Sequence, residues 1–166
     1  MARPKLIPDT EVFSAILQLL TAEGDKAVSF SRVARITGLA PATLVQRFGS
    51  LEGMMTAALA AGWDRAEADL AEAAKAGNDG KGAIQILKSL PPNTELLVAS
   101  ARNEALRERA TNWRVAVEAA LAMRLEGKGK AAQAAALLFA VWQGQSAWKN
   151  IGGKGLKLKD VFKKFL

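Results

Sequence analysis

The chain has 166 residues, half of them hydrophobic and 23% charged, with a formal net charge of +7. That length allows one or two small domains with a real core. It contains no Cys and no His, which removes a disulfide framework, the usual metal ligands, the usual general base and the thiol nucleophile; no metal, no cofactor and no enzyme activity is expected.

The positive charge is uneven. Residues 1–50 carry six Lys/Arg against four Asp/Glu, whereas residues 131–166 carry six against one. A basic chain favours polyanionic partners, but the excess at the C-terminus does not by itself locate a site. Abundant Ala and the absence of Cys fit an all-α protein of a reducing cytoplasm. The longest near-apolar run, Ala131–Trp142, contains Gln133 and is too short to span a bilayer. The first residues lack a secretory pattern.

In chain order, Ala2-Arg3-Pro4-Lys5 forms a short basic arm. Asp9 or Thr10 is expected to cap a first helix, with Glu11 in its positive first turn. Phe13, Ile16, Leu17 and Leu20 recur at helical spacing, and Gly24 ends the element.

The next stretch, Ser29–Phe48, reads as two short helices with a tight turn. Ser29 can cap the first, accepting from a backbone N–H one turn in. Phe30, Val33 and Ile36 or Thr37 give it a buried side. Gly38 suits a positive-φ terminus, and Pro41 suits the first turn of the following helix. Leu44 and Phe48 form that helix's buried edge. Ala42 and Gln46 face most nearly away, with Thr43 and Val45 on the shoulders. This is the build of a helix-turn-helix reader, whose second helix enters the major groove. It is also the build of an αα-corner in any helical protein.

Ser50 is expected to cap a long helix, with Glu52 near its start and Met55, Leu59, Trp63, Ala66 and Leu70 down one side to about Ala76. Gly77-Asn78-Asp79-Gly80 breaks the chain. Helices follow over Gly82–Leu90, Thr94–Ala101 and, capped by Asn103, Glu104 to about Glu126. The last of these has Leu106, Ala110, Trp113, Val117, Ala120 and Leu121 as its stripe. Gly127-Lys128-Gly129 precedes a helix over Lys130–Lys149. Leu137, Leu138, Phe139, Val141 and Trp142 cover most of its circumference, so one neighbour cannot bury them all. A basic amphipathic helix, Leu158–Leu166, closes the sequence. Its lysines, with Lys154 and Lys157, read either as a solvated face or as contacts to an acidic membrane surface.

Residues 10–60 carry a resemblance to the TetR family of bacterial transcriptional regulators. They follow its order: the striped first helix, Gly24, Ser29, Val33-Ala34, Gly38-Leu39, Thr43-Leu44, Phe48-Gly49-Ser50 and Glu52. The resemblance implies an all-α fold of about nine helices. It also implies a reading head over 1–50 and an effector and dimerisation domain over 51–166. Ser29 would touch a DNA phosphate. Ala42, Thr43, Gln46 and Arg47 would lie at or beside the bases and backbone. Two positions lose a phosphate contact of the pattern. Val45 stands where the family usually has a Tyr on a phosphate, and Leu51 where it usually has a Lys. Ala40 stands where a capping Ser or Thr is common.

The same resemblance implies a homodimer and a small effector. The apolar circumference of Lys130–Lys149 points to an interface there, with the C-terminal helix nearby, and the apolar residues of the would-be pocket point to an apolar effector. Trp63, Trp113, Val117, Phe139 and Trp142 are the candidate ligand-lining residues, with Leu87 and Leu97 beside them and Gln85, Arg114 and Gln143 as candidate polar contacts. The other reading of these aromatics is core filling, which asks only a partner for each Trp N–H. Arg102, Arg107, Arg109, Arg114 and Arg124 read as a solvated face or as an anion site. The expected function is a ligand-responsive repressor. The alternative is a TetR-like helical protein that no longer binds DNA and carries an apolar or lipid ligand.

Overall fold

A computed structural model describes residues 7–75, 77, 80–125, 130–149, 151–152, 155 and 157–165. The described residues form nine α-helices and no strand. They are α1 (Asp9–Glu23), α2 (Phe30–Thr37), α3 (Pro41–Phe48), α4 (Leu51–Ala73), α5 (Gly80–Ser89), α6 (Thr94–Ser100), α7 (Glu104–Met123), α8 (Ala131–Trp148) and α9 (Leu158–Phe165). A short 3₁₀ turn, Asp25–Ala27, separates α1 from α2. The basic arm Ala2–Lys5, Ala76, the Asn78-Asp79 pair, Glu126, Gly127-Lys128-Gly129, Lys154 and Leu166 lie outside the described residues.

The chain divides into two compact units. One comprises Met1–Asp64 and Glu95–Arg107, the other Arg65–Thr94 and Glu108–Leu166. The unit that holds the head thus extends beyond residue 50 to include the first part of α4 and most of α6.

The core of the first unit joins α1, α2, α3 and the start of α4. Val12, Ile16, Leu19, Val28, Val33, Ala34, Leu44, Met54 and Ala58 are buried in it, and Ile7, Phe13, Phe30, Leu39 and Phe48 pack against it. The Phe13 and Phe48 rings tie α1 to α3, with centroids 5.8 Å apart. Farther along α4, Gly62 allows close approach. A Cβ there would come within 2.9 Å of Leu96 Cδ1 and 3.4 Å of Leu17 Cδ2.

Neither Asp9 nor Thr10 caps α1. Pro8 is the cap residue, and its carbonyl accepts from the Glu11 and Val12 N–H groups. The helix therefore opens one or two residues earlier than expected, with both Asp9 and Glu11 in its positive first turn. On α2 the buried side runs through Val33 and Ala34, with Thr37 half-buried, while Ile36 is exposed. Thr37 Oγ1 donates to the Val33 carbonyl at 2.8 Å, which removes the cost of covering its hydroxyl. On α4 the fully buried methionine is Met54, not Met55.

In the second unit, α7 buries Ala110, Trp113, Val117 and Leu121, and α8 buries Ala134, Ala135, Leu138, Phe139 and Trp142. Asn103 caps α7, its Oδ1 accepting from the Leu106 N–H at 3.1 Å. The expected all-round apolar character of α8 leaves part of it in solvent: Leu137, Trp148 and the following Ile151 are exposed. Val161 of α9 is buried.

Candidate nucleic-acid interface

The geometry of the head starts at its caps. Ser29 has extended backbone, and its Oγ accepts from the Arg32 N–H at 3.3 Å, starting α2. Gly38 ends α2 in the left-handed region, with φ 73° and ψ 10°, and its N–H donates to the Ala34 carbonyl at 2.8 Å. A side chain would be strained there. Ala40 then precedes α3 without a side-chain cap, and Pro41 occupies the first helical turn. The turn is therefore short, and α3 leaves α2 in a fixed direction.

Leu44 is the inward anchor of α3, with no exposed surface. Ala42 and Gln46 are exposed and Thr43 is half-buried. The side expected to face a groove is thus open, held by an apolar anchor on the opposite side. After α3 the chain turns sharply into α4. Ser50 Oγ accepts from the Gly53 N–H at 3.0 Å, and a Cβ on Gly53 would meet the Phe48 carbonyl oxygen at 2.5 Å. Only glycine fits that approach.

Arg47 is placed differently from its neighbours. Its guanidinium donates to the Ile7 carbonyl at 2.7 Å and to the Asp9 carboxylate at 3.3 Å. It ties the last turn of α3 to the residues that open α1. Arg32 is also engaged, as a fork on Glu23 with bonds of 2.8 and 2.5 Å. That hydrogen bond holds the Glu23 carboxyl below the ordinary carboxylate range. Val45 and Leu51, where the resemblance expects phosphate anchors, are exposed apolar side chains.

The candidate ligand residues fall into different units. Trp63 belongs to the first, almost fully buried, and its Nε1 donates to Ser100 Oγ at 2.9 Å. Trp113, Val117, Phe139 and Trp142 belong to the second. Of the residues expected beside them, Leu87 is buried in the second unit and Leu97 is exposed on the first. Trp113 lies 6.0 Å from Phe139 and 6.4 Å from Trp142, ring centre to ring centre, and Phe139 lies 5.8 Å from Trp142. Trp113 Nε1 donates to the Ala66 carbonyl at 3.0 Å. These are the distances of packed aromatic pairs. Sequence spacing could not foresee this sorting, because it depends on which helices meet.

A cleft of about 430 Å³ runs between α4 and α7 within the second unit. Its walls are Glu67, Leu70, Ala71, Ala74, Asn112, Trp113, Ala116 and Ala120. Trp113 is on this wall; Val117, Phe139 and Trp142 are not. Of the candidate polar contacts, Gln85 is exposed and Arg114 pairs with Glu118 at 2.7 Å while its guanidinium carbon lies 5.7 Å from the Phe139 ring centre. Gln143 buries its side-chain oxygen with no protein partner among the described residues.

The remaining arginines divide likewise. Arg109 pairs with Glu67. Arg124 is buried, and its guanidinium donates to the carbonyls of Ala74, Gly77 and Ala120. It closes the C-terminal end of α4, where free carbonyls gather.

Solved structures share this fold. A transcriptional regulator from Rhodococcus sp. RHA1 superposes with a TM-score of 0.71 at 22% identity, over 89% of this chain and 85% of that one. A candidate transcriptional regulator from Streptomyces coelicolor A3(2) gives 0.66 at 19% identity, over 93% of each chain. A candidate TetR-family transcriptional regulator from Rhodococcus sp. gives 0.60 at 20% identity, over 93% of this chain and 92% of that one. The chain has a TetR-like fold. No family profile matches its sequence, and no curated protein does. Among the described residues no helix is long and apolar enough to cross a membrane.

Proposed function

We propose that this protein is a DNA-binding transcriptional regulator of the TetR type, working in the cytoplasm. The observation that carries this reading is the α2–α3 corner. Ser29 and Gly38 fix the two helices, Leu44 anchors α3 inward, and Ala42 and Gln46 stay open to solvent beside Thr43. Gln46 and Thr43 would read base edges in the major groove, Ala42 would allow close approach, and Ser29 would sit at a phosphate.

Residues 1–50 would serve as the head and 51–166 as effector and dimerisation domain. Exposed Leu137, Trp148 and Ile151 favour a homodimer formed through Lys130–Lys149 and the C-terminal helix. A small apolar effector would act by binding one spacing of the two heads better than another, and repression would be relieved to that extent. The second reading, a TetR-like carrier of an apolar or lipid ligand that has left DNA, is favoured by one observation. Exposed Val45 and Leu51 offer a phosphate neither a hydroxyl nor a charge.

Selection of bound genomic fragments at low and moderate salt separates the two. A regulator enriches a discrete motif at moderate salt. A carrier enriches nothing at either salt, and that result would refute the regulator.

A further inference from the structure

An arginine in the last turn of a reading helix invites a phosphate contact. Arg47 is already spent inside the head. Its Nη1 donates to the Ile7 carbonyl at 2.7 Å and to Asp9 Oδ1 at 3.3 Å, so its charge is offset by a carboxylate and its best hydrogen bond goes to backbone. Leaving those partners for a phosphate would forfeit two charge-assisted bonds to gain another.

The tie joins two places that matter. Ile7 is itself held, because its side chain packs against the core of the head. Arg47 directly follows Gln46, the exposed residue at the centre of the open side of α3. A second link from this turn to α1 is the Phe13–Phe48 ring pair, tilted at 51°. Apolar contact is non-directional, so the ring pair by itself sets the angle of the helix less sharply than a directed bond does. A short hydrogen bond is steep in distance and angle, and it fixes such a rotation. α3 has no side-chain cap at its start, so its last turn is where polar bonds can set its orientation.

We propose that Arg47 is a positioning residue for DNA recognition: it locks the rotation of α3 against the opening of α1 and so aims Gln46 and Thr43 at base edges, without contacting DNA itself. The partner is duplex DNA, read through its major groove. The proposal rests on the regulator reading above and adds to it what holds the reading side in register.

The test uses the full chain, its selected fragment and an unrelated duplex, with affinity measured against salt. Arg47→Met should weaken binding to the selected fragment about 5- to 20-fold. Binding to unrelated duplex should fall less than about 2-fold. The slope of log K against log salt should stay as in the parent chain, whereas loss of one phosphate contact lowers it by about 0.9. A slope reduced by that amount, with equal losses on both duplexes, overturns the proposal and makes Arg47 a phosphate contact. Unchanged affinity on both duplexes overturns it as well.

Thermal melting checks that Arg47→Met folds. If it does not, guanidinium NMR of the parent chain decides. The Arg47 side-chain N–H signals should stay in place when the selected fragment is added, and their displacement would overturn the proposal. A parent chain that binds no DNA at any salt overturns the regulator reading, and the role of Arg47 with it.

Discussion

The head and the second unit treat their most conspicuous side chains in opposite ways. On α3, Leu44 closes inward while Ala42 and Gln46 remain in solvent. In the second unit Trp113, Phe139 and Trp142 turn onto one another, and the Trp113 N–H finds a backbone carbonyl. An open polar side on a rigid corner is available to a macromolecule. Aromatics at packing distance stabilise the fold first, and serve a ligand only at an edge such as the Trp113 wall of the α4–α7 cleft.

The largest expected effect tests the inward half of that contrast. Trp113→Ala removes a buried ring and its hydrogen bond, and should cost about 3–5 kcal/mol in urea denaturation. A loss below about 1 kcal/mol would mean that the rings border a space rather than fill one. Arg124→Met comes next. It leaves the carbonyls of Ala74 and Gly77 without their charged donor, and should cost about 1.5–3 kcal/mol. A neutral result would show that water replaces the guanidinium there.

The head offers smaller effects. Ser29→Ala should cost about 0.5–2 kcal/mol by removing the α2 cap, whereas Ser29→Gly should cost only a few tenths. Equal losses in the two variants would show that the hydroxyl does not cap in solution. Smallest is the Glu23–Arg32 pair, which is open to solvent and screened by salt. Its bond to Arg32 depresses the folded-state pKa of Glu23. The stability it contributes is therefore present above the ordinary carboxylate range and lost as pH falls through the lower, folded value. Glu23→Gln should flatten the stability profile in that acidic window, by a slight loss of stability at neutral pH and none at the acid end. Thermal melts from about pH 2 to about pH 7 would check it, and an unaltered acidic slope would remove the pair from the account.

What was legible in the sequence was local. Ser29, Gly38, Ser50 and Asn103 act within a turn of themselves, so residue type and spacing define their roles. Leu44 follows from the i, i+4 pairing with Phe48. What was not legible depends on distant partners. Arg47 meets Ile7 and Asp9 from about forty positions away. Trp63 and Trp113 enter separate units because of which helices pack together. Adjacent choices, Met54 against Met55 or Thr37 against Ile36, turn on a rotation that periodicity does not resolve.

Whether the open side of α3 reads DNA is decided by one paired measurement. Affinity of the parent chain and of Gln46→Ala is compared on the selected fragment and on unrelated duplex at the same salt. Gln46→Ala should lose about 1–3 kcal/mol on the selected fragment and almost nothing on unrelated duplex. Equal losses on both, or no loss on either, would contradict a base-reading role for α3.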